Sequence, residues 1–276
     1  GNSLATAVLL ESLLAHRDHL KKLVVASSMS IYGEGAYHCS TCGVVYPRIR
    51  PVEQLRRHEW ELRCDKCHQI ATPIPTTEDK PHFPTSIYAV TKRDHEEMCL
   101  TFGLAYAIPT IALRFFNIYG PFQALSNPYT GVAAIFSSRL LNGKPPIIFE
   151  DGRQSRDFVH VSDIVQAVVQ ALRTETVTND VFNVGTGRPL SVLDVAVSLA
   201  HEMGIDIQPE VVAQFRAGDI RHCFADITRI RQVLGYEPQV QFEDGVRDLV
   251  TWIRSESAVD RVDVAYQQLA ALGLAR

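Results

Sequence analysis

Hydrophobic and polar positions follow two patterns along this chain. Stretches such as "ATAVLLESLLAH" and "SVLDVAVSLAHEMG" place apolar residues at helical spacing, whereas "KKLVVASS", "IPTIALRFF" and "DVFNVGTG" contain short apolar runs that end in polar or small residues. Short runs of this kind are typical of strands that are buried on both faces of a parallel sheet. Because such strands alternate with helices, the pattern predicts an α/β fold with parallel strands.

The same pattern predicts further elements. We expect helices from about Ser86 to Gly103, over roughly 131 to 142, in "SDIVQAVVQAL" and in "FEDGVRDLVTWIRSE". The segment "PPIIFEDGRQSRDFVHV" predicts two short strands around an Asp-Gly turn. The expected helix caps are Ser162 and Ser191 at N-termini and Gly204 at a C-terminus.

Composition narrows the class of protein. The chain has 276 residues and a formal net charge of -4, which gives no general attraction to nucleic acid or to anionic membranes. No apolar run approaches the ~20 residues that a membrane-spanning helix needs. We therefore expect a cytoplasmic enzyme without nucleic-acid or membrane partners.

Residues 36 to 84 interrupt the α/β pattern with cysteines, histidines, prolines and an arginine-rich middle. Four of the six cysteines form "CSTC" and "CDKC", which are separated by 21 residues, slightly beyond the usual ribbon window. Four thiolates in two such knuckles are a tetrahedral zinc set with no open position for catalysis, so we predict a structural zinc. Two redox-active pairs or unliganded thiols are the alternatives. The predicted ligands are Cys39, Cys42, Cys64 and Cys67.

Each cysteine knuckle is followed by a residue suited to a tight turn or to supporting the ligands, Gly43 and His68. His38, His58 and His68 are substitute ligands that four cysteines make unnecessary. Cys99 and Cys223 are isolated, and we interpret them as buried small apolar residues.

The segment "SIYAVTK" places Tyr88 and Lys92 one helical turn apart on one face. A phenol with a pKa of about 10 is a poor base, but an adjacent ammonium lowers that pKa. Such a phenol can take a proton from a hydroxyl while hydride leaves the same carbon for the nicotinamide of NAD. Ser28 ends the strand "KKLVVASS", where ligands of open α/β sheets bind. An ordinary amphipathic helix and a serine-rich turn are the alternatives.

Seven motifs occur in an order that resembles the extended short-chain dehydrogenase/reductase family, in particular its nucleotide-sugar epimerases. They are "VVASSMSIYG", "YAVTK", "ALRFFNIYGP", "GRQSRDFVHVSDIVQA", "FNVGTG", "FRAGDIRHCFADITRI" and "GVRDLVTWI". The segments "FQALSNPYTGVAAIF" and "FEDGRQSRDFVHV" are most similar to the dTDP-L-rhamnose 4-epimerase and UDP-hexose 4-epimerase branch. The resemblance implies a Rossmann-like doubly wound sheet, a smaller substrate domain, NAD as cofactor, a nucleotide-diphosphate sugar as substrate and a homodimer.

The resemblance also implies a role for each matching residue. Tyr88 would be the acid/base, Lys92 would hold the nicotinamide ribose, and Ser28 would hydrogen-bond the reacting hydroxyl or ketone. Asp157, His160 and Asp163 would brace the two lobes. The implied cofactor contacts are Ala26, Ser27, Tyr88, Lys92 and Phe115. The implied substrate contacts are Ser28, Phe116, Asn117, Arg153, Arg156, Arg216 and Asp219, with the arginines on the diphosphate.

Met29 and Ser30 follow the strand-end serine, where related 4,6-dehydratases carry an Asp-Glu pair that removes water from the sugar. Neither side chain exchanges protons as a carboxyl pair does, which favours a 4-epimerase. Such an enzyme oxidises C4, turns the 4-keto sugar and reduces it from the other face. A dehydratase or reductase of the same family is the alternative enzyme. A non-catalytic zinc-bearing binding or assembly protein is the alternative from another class.

The resemblance predicts three parts of the chain. We expect the nucleotide-binding lobe in 1–35, 71–120 and 157–186, the zinc-ribbon-like insert in 36–70, and the substrate-binding lobe in 121–156 and 187–276. The insert should emerge near the mouth of the active site. Its basic residues would attract an anionic substrate or, in the simpler interpretation, form a solvated or oligomer-contact surface. They are Arg48, Arg50, Arg56, Arg57, Arg63 and Lys66.

The glycine motifs "GEG" and "GTG" do not fit a dinucleotide fingerprint, which needs a first strand, GxGxxG and a later acidic residue. In the family these parts precede the helix at which the present sequence starts. The functional prediction therefore concerns the intact protein, and if the chain starts at Gly1 we expect weak binding of NAD, because the pyrophosphate then has no helix N-terminus to bind.

Overall fold

The computed structural model describes residues 1–125, 131–216, 218–256 and the single residues 260, 267 and 271. The predicted loop "NIYGPFQALSNPYTG" therefore lies partly outside the described residues, at 126–130. The described helices are α1 (Asn2–Leu14), α2 (Val52–Arg56), α3 (Ile87–Tyr106), α4 (Val132–Leu141), α5 (Val161–Arg173), α6 (Val192–Met203), α7 (Thr228–Leu234) and α8 (Phe242–Ile253). The described strands are β1 (Leu23–Ser28), β2 (Ala36–Cys39), β3 (Gly43–Val45), β4 (Thr72–Ile74), β5 (Thr110–Phe115), β6 (Asn117–Tyr119), β7 (Ile147–Ile148), β8 (Ser155–His160), β9 (Asn179–Val184), β10 (Pro189–Ser191), β11 (Glu210–Val211) and β12 (His222–Cys223).

A parallel sheet with the order β1-β5-β9 forms the centre of the first part of the chain. Ile111 and Leu113 of β5 pack into the core that α5 closes on one face. Ala112 points into a second core, which α1 and α3 close on the other face. Because both faces are covered, the strand is apolar almost throughout. This confirms the predicted α/β fold with parallel strands.

A third core lies among α4, α6 and α8 and also includes part of β8. β8 pairs with β6 and β12 in parallel and with β10 in the antiparallel direction. The Asp-Gly turn forms, with Gly152 at a φ of 78°, but its flanking strands do not pair with each other. The two predicted strands, β7 and β8, do form on either side of this turn, and β7 pairs with β11.

Side chains cap several helices. Ser191 forms a capping box with Asp194 at the start of α6, and Gly204 ends that helix in the left-handed conformation, which confirms both predicted caps. Ser162 was predicted to cap α5, but the N-cap is His160. The His160 ring accepts from the Ser162 amide and shares a 2.8 Å hydrogen bond with its hydroxyl, so Ser162 lies inside the helix.

The cysteine insert is an antiparallel sheet with the order β3-β2-β4. Both ends of the insert pair with the segment around β12. The Gly35 amide donates to the His222 carbonyl at 2.8 Å, and the Thr76 amide donates to the Phe224 carbonyl at 2.9 Å. The insert is therefore joined by backbone hydrogen bonds to a segment about 150 to 190 residues further along the chain. Among the described residues, no helix has the length and apolar character to cross a membrane.

Candidate functional site

Ser28 is the last residue of β1, at the carboxyl end of the parallel sheet. Its Oγ accepts hydrogen bonds from the Ser30 amide at 3.2 Å and the Ser30 hydroxyl at 3.0 Å. The side chain of Met29 is buried in the core. Ser28 is thus half-buried and held by its own turn, with no carboxyl group at the two following positions.

Tyr88 and Lys92 lie in the first two turns of α3, which begins after the Ser86 cap. The Lys92 ammonium donates to the carbonyl of Ala26 in β1 at 2.7 Å, and burial lowers the pKa of Lys92. Tyr88 is 54% exposed, and Ala26 is the one exposed residue of β1. The structure therefore joins Lys92 to the strand that ends at Ser28 and leaves an open surface beside it, which fits a planar cofactor ring.

A buried polar network lies beneath this surface and was not predicted. The Ser27 hydroxyl donates to Glu96 at 2.5 Å, and Arg114 donates to the same carboxylate at 2.6 Å. Arg114 also donates to the Tyr32 hydroxyl at 2.8 Å, which donates to Asn183 at 2.7 Å. Burial alone would lower the pKa of Arg114, but the Glu96 carboxylate raises it above its ordinary value. Ser27 thus belongs to the support under the site.

The charged residue in "TIALRFF" was a signal for this network. An arginine in the middle of an apolar strand needs a buried partner, because an isolated buried charge is very costly. Glu96 lies four residues after Lys92 and on the same face of α3, which places it against the strand.

The residues at the end of β5 and directly after it differ in exposure. Phe115 and Asn117 are half-buried, and the buried Asn117 Oδ1 accepts no hydrogen bond from any part of the chain that the structure describes. The ring of Phe116 is buried in the core and lies 6.5 Å from the Tyr32 ring. Phe116 was predicted to contact substrate, but its side chain is turned into the core.

Two of the three predicted diphosphate arginines lie together. Asp219 accepts from Arg216 at 2.9 Å, and its other oxygen lies 3.5 Å from the Arg156 guanidinium. Burial alone would raise the pKa of Asp219, but the charges of Arg216 and Arg156 bring it below its ordinary range. Arg153 is exposed, and only its backbone amide is seen to donate, to Asp151.

Two buried carboxylates tie separate segments together around these arginines. Asp157 accepts from the amides of Thr186, Gly187 and Ala225 at 2.8, 2.8 and 3.2 Å. Asp163 accepts from two amides of the segment before α8. These contacts agree with the expected bracing role of Asp157 and Asp163, and His160 serves as a helix cap.

The four predicted metal ligands converge. Their sulfur atoms all lie within 4.8 Å of one another, and no other residue type joins the group among the described residues. The Cys39 and Cys67 sulfurs are 3.4 Å apart, close to the edge of about 3.8 Å that a tetrahedron with Zn–S bonds of about 2.3 Å requires. Amides of Thr41 and Cys42 lower the pKa of Cys39 to about 7.

The two cysteine knuckles have matching backbones. Gly43 and His68, each directly after the second cysteine, have φ angles of 73° and 60°. The left-handed conformation is one that histidine rarely adopts. Both knuckles thus end in the same left-handed turn.

The parallel sheet, the serine at its edge and the Tyr88–Lys92 helix define a Rossmann-like protein of the short-chain dehydrogenase/reductase class. The chain belongs to the GDP-mannose 4,6 dehydratase family, whose model matches residues 70–249. The predicted family is thus confirmed.

Individual relatives are nucleotide-sugar 4-epimerases. The chain is 34% identical to a dTDP-L-rhamnose 4-epimerase of Burkholderia thailandensis over 92% of its own length and 69% of that protein. A UDP-glucose 4-epimerase of Thermotoga maritima, solved with UDP-glucose, has a TM-score of 0.71 at 30% identity, covering 92% of this chain and 69% of that one. A UDP-glucuronic acid 4-epimerase of Bacillus cereus, solved with UDP-glucuronic acid and NAD, has a TM-score of 0.68 at 26% identity, with 92% and 67% covered.

Proposed function

We propose that the protein interconverts two nucleotide-diphosphate sugars that differ at C4, with NAD as cofactor. The substrate class is a dTDP-6-deoxyhexose or a UDP-hexose, as the names of the relatives support. The chain spans about two thirds of these relatives, so the proposal concerns the full-length protein.

The observation that carries this proposal is the turn after β1. Elimination of water from the sugar needs a carboxyl pair beside the reacting carbon. At the matching positions Met29 is buried in the core, and the Ser30 hydroxyl is bonded to Ser28. The nearby carboxylate of Glu96 is buried and already bonded to Ser27 and Arg114. This arrangement favours epimerisation over dehydration.

The proposed chemistry uses Tyr88, Lys92, Ser28 and Asn117. Tyr88, as the phenolate, takes the proton of the C4 hydroxyl and later, as the phenol, returns it to the 4-keto oxygen. The Lys92 ammonium, held at Ala26, places a positive charge one helical turn along α3 from that residue. Ser28 donates to the same oxygen, and Asn117 has a buried acceptor available for a substrate hydroxyl.

The open surface formed by Ala26, Tyr88 and Lys92 fits the nicotinamide and its ribose. When bound, NAD accepts hydride from C4 and gives it back. Arg156 and Arg216 would hold the diphosphate, because guanidinium groups bind phosphate oxygens in pairs of charge-assisted hydrogen bonds.

Incubation of the full-length protein with dTDP- and UDP-hexoses tests the proposal. The expected product has the mass of the substrate and differs from it in the C4 proton couplings by NMR. A product lighter by one water would establish a dehydratase instead. Absence of bound NAD and of any turnover would favour a binding or assembly protein.

We also propose that the insert is a zinc ribbon with Cys39, Cys42, Cys64 and Cys67 as ligands. The convergence of four sulfurs within 4.8 Å and the paired left-handed turns support it. Elemental analysis of protein purified without chelator should give one zinc per chain. A value near zero, with the fold intact, would exclude a structural zinc.

The expected lobes, location and assembly complete the proposal. The separate cores around the β1-β5-β9 sheet and around α6 support the division into two lobes. We place the enzyme in the cytoplasm and expect a homodimer through α1 and α3. Both helices expose large apolar side chains, including Leu4 at 72%, Ile87 at 80% and Leu104 at 75%. Sedimentation of the full-length protein tests the dimer.

A further inference from the structure

A buried cluster of charged side chains joins the cysteine insert to the segment that carries Arg216 and Asp219. We call the six residues that form this cluster the anchor cluster. The side chains of Glu34, Arg50 and Arg221 are at most 1% exposed, and that of Glu150 is 3% exposed. The members are Arg50 and Glu61 in the insert, Glu34 directly before it, and Glu150, Asp151 and Arg221 on the other side.

Arg50 makes the most direct link from the insert. Its guanidinium forms a bidentate pair with the Glu150 carboxylate, with both distances at 2.9 Å. The same group donates to the backbone carbonyl of Asp219 at 3.2 Å and to that of Trp60 at 2.9 Å. One insert side chain thus fixes the backbone of the residue that pairs with both Arg156 and Arg216.

Arg221 makes the second link. Its backbone amide donates to both oxygens of Glu34 at 2.8 and 2.9 Å, and its guanidinium donates to Glu61 at 2.6 Å. On the other side the guanidinium donates to Asp151 at 2.6 Å and to Glu150 at 3.1 Å. Arg221 is therefore clamped between the insert and the Asp-Gly turn.

The contacts around Arg221 extend to Arg156, the arginine that the family resemblance places on the diphosphate. Arg156 donates to the carbonyl of Ile220 at 2.6 Å and to that of Arg221 at 2.9 Å. The direction of the Arg156 side chain is thus set by the backbone that Glu34 holds, while Glu61 holds the side chain of Arg221. Small displacements of this backbone would move both Arg156 and Asp219.

The insert does not act mainly as a source of positive charge. Arg57 and Arg63 are exposed but are paired with Glu59, and the guanidinium of Arg48 lies 4.1 Å from the centre of the Phe83 ring. Arg50 is fully buried by its partners. The contacts of Arg48, Arg57 and Arg63 therefore give little support to the idea that these residues attract the anionic substrate, whereas the contacts of Arg50 with the other side are direct.

We propose that the cysteine insert is a positioning element for the nucleotide-diphosphate site and that Arg50 is its main positioning residue. This inference rests on the proposed function, because it takes Arg156 and Arg216 as ligands of the diphosphate. A site that must match several phosphate oxygens needs its side chains held within a fraction of an ångström by such supporting contacts.

The test is the binding of dTDP and of UDP to the full-length protein, measured by isothermal titration calorimetry. Arg50→Ala should weaken binding by about tenfold or more, while turnover at saturating substrate and zinc content stay near those of the wild type. Arg50→Lys should recover part of the affinity, since lysine keeps the charge but lacks the planar fork. Arg57→Ala is the matched control, with an arginine on the exposed side of the same insert, and should bind as the wild type does.

Glu61→Gln provides a second variant should Arg50→Ala not fold, because it removes one partner of Arg221 with little change in volume. Wild-type affinity in the soluble variants, with only a lower melting temperature, would mean that the anchor cluster stabilises the fold without positioning the site. That result would overturn the inference but leave the proposed function standing. A wild-type protein that binds neither nucleotide would overturn both.

Discussion

The two ends of the candidate site are built in opposite ways. At the Tyr88 end, the reacting side chains lie on an open surface: Tyr88 is 54% exposed, and the one hydrogen bond described for Lys92 goes to a backbone carbonyl. At the arginine end, Arg156 is held by three carbonyls, and Arg221 behind it is fully buried among three carboxylates. We call the Tyr88 end the open end, because its reacting side chains are exposed. We call the arginine end the bonded end, because hydrogen bonds and buried ion pairs hold its side chains.

The difference follows from what each end has to bind. A 4-keto sugar that must rotate within the site needs space around the reacting side chains. Its own hydroxyl groups and the cofactor then make the contacts that the protein does not make there. A diphosphate has a fixed charge and shape, and arginines that are prepositioned for it lose less conformational entropy on binding. Asp219 meanwhile offsets the repulsion between Arg156 and Arg216.

The largest expected effect is at the open end. Tyr88→Phe should lower kcat by about 10³-fold, because the phenol is the proposed acid/base. Nucleotide-sugar affinity and melting temperature should change little, since the exposed hydroxyl supports no described contact of the fold. Tyr106→Phe is the control, as that exposed tyrosine lies at the far end of the same helix. Near-normal turnover in Tyr88→Phe would remove this residue from the mechanism.

At the arginine end the loss should appear in binding. Arg216→Ala removes charge-assisted hydrogen bonds worth about 1.5–3 kcal/mol, so the Kd for dTDP or UDP should rise by about 10- to 100-fold. Arg173→Ala removes an exposed arginine at the end of α5 and should leave the Kd unchanged. A large fall in kcat with an unchanged Kd would contradict the assignment of separate tasks to the two ends.

The insert supports the bonded end, so loss of its metal should weaken that end selectively. Cys64→Ser removes a fully buried sulfur of the cluster and should abolish zinc binding, lower the melting temperature and raise the Kd for dTDP. Cys99→Ser, at a buried cysteine outside the cluster, should retain zinc and nucleotide affinity. Full zinc content in Cys64→Ser would contradict the four-cysteine site.

Local patterns predicted the elements that form the open end. The strand β1 and the helix that starts near Ser86 are both encoded within a few residues of where they form. The cysteine cluster was also predicted, because two knuckles fix four ligands by local spacing alone. Local patterns can still be ambiguous. Both His160 and Ser162 are able to cap the N-terminus of α5, and His160 is the residue that does so.

Arg156, Arg216 and Asp219 were named from the family resemblance, but the contacts that hold the bonded end were not predicted, since they join residues far apart in the sequence. Glu34 and Arg221 are 187 positions apart, and Arg50 and Glu150 are 100 positions apart. An arginine in a polar loop gives no sign of whether it is solvated or buried against a carboxylate. Arg50 was therefore grouped with the exposed arginines of the insert. Only the return of β12 alongside the insert distinguishes it from them.

The smallest expected effect concerns the pH dependence of the anchor cluster. The hydrogen bond from His222, together with the guanidinium of Arg221, lowers the pKa of Glu61 from 4.5 to about 2. Between these two values the unfolded chain binds the proton and the folded protein does not. The contribution of Glu61 to stability is therefore present above pH 4.5 and is lost as the pH falls towards about 2.

Urea unfolding of the wild type and of Glu61→Gln across this range measures that contribution. The wild type should lose more free energy of unfolding than Glu61→Gln as the pH falls from 5 to 3, by a modest amount because the carboxylate is 39% exposed. Glu53→Gln removes an exposed carboxylate from the same insert and should follow the wild type. Equal slopes for the wild type and Glu61→Gln would mean that the anchor cluster holds its geometry without this ion pair, leaving Arg50 and Glu34 as the contacts that fix the arginine end.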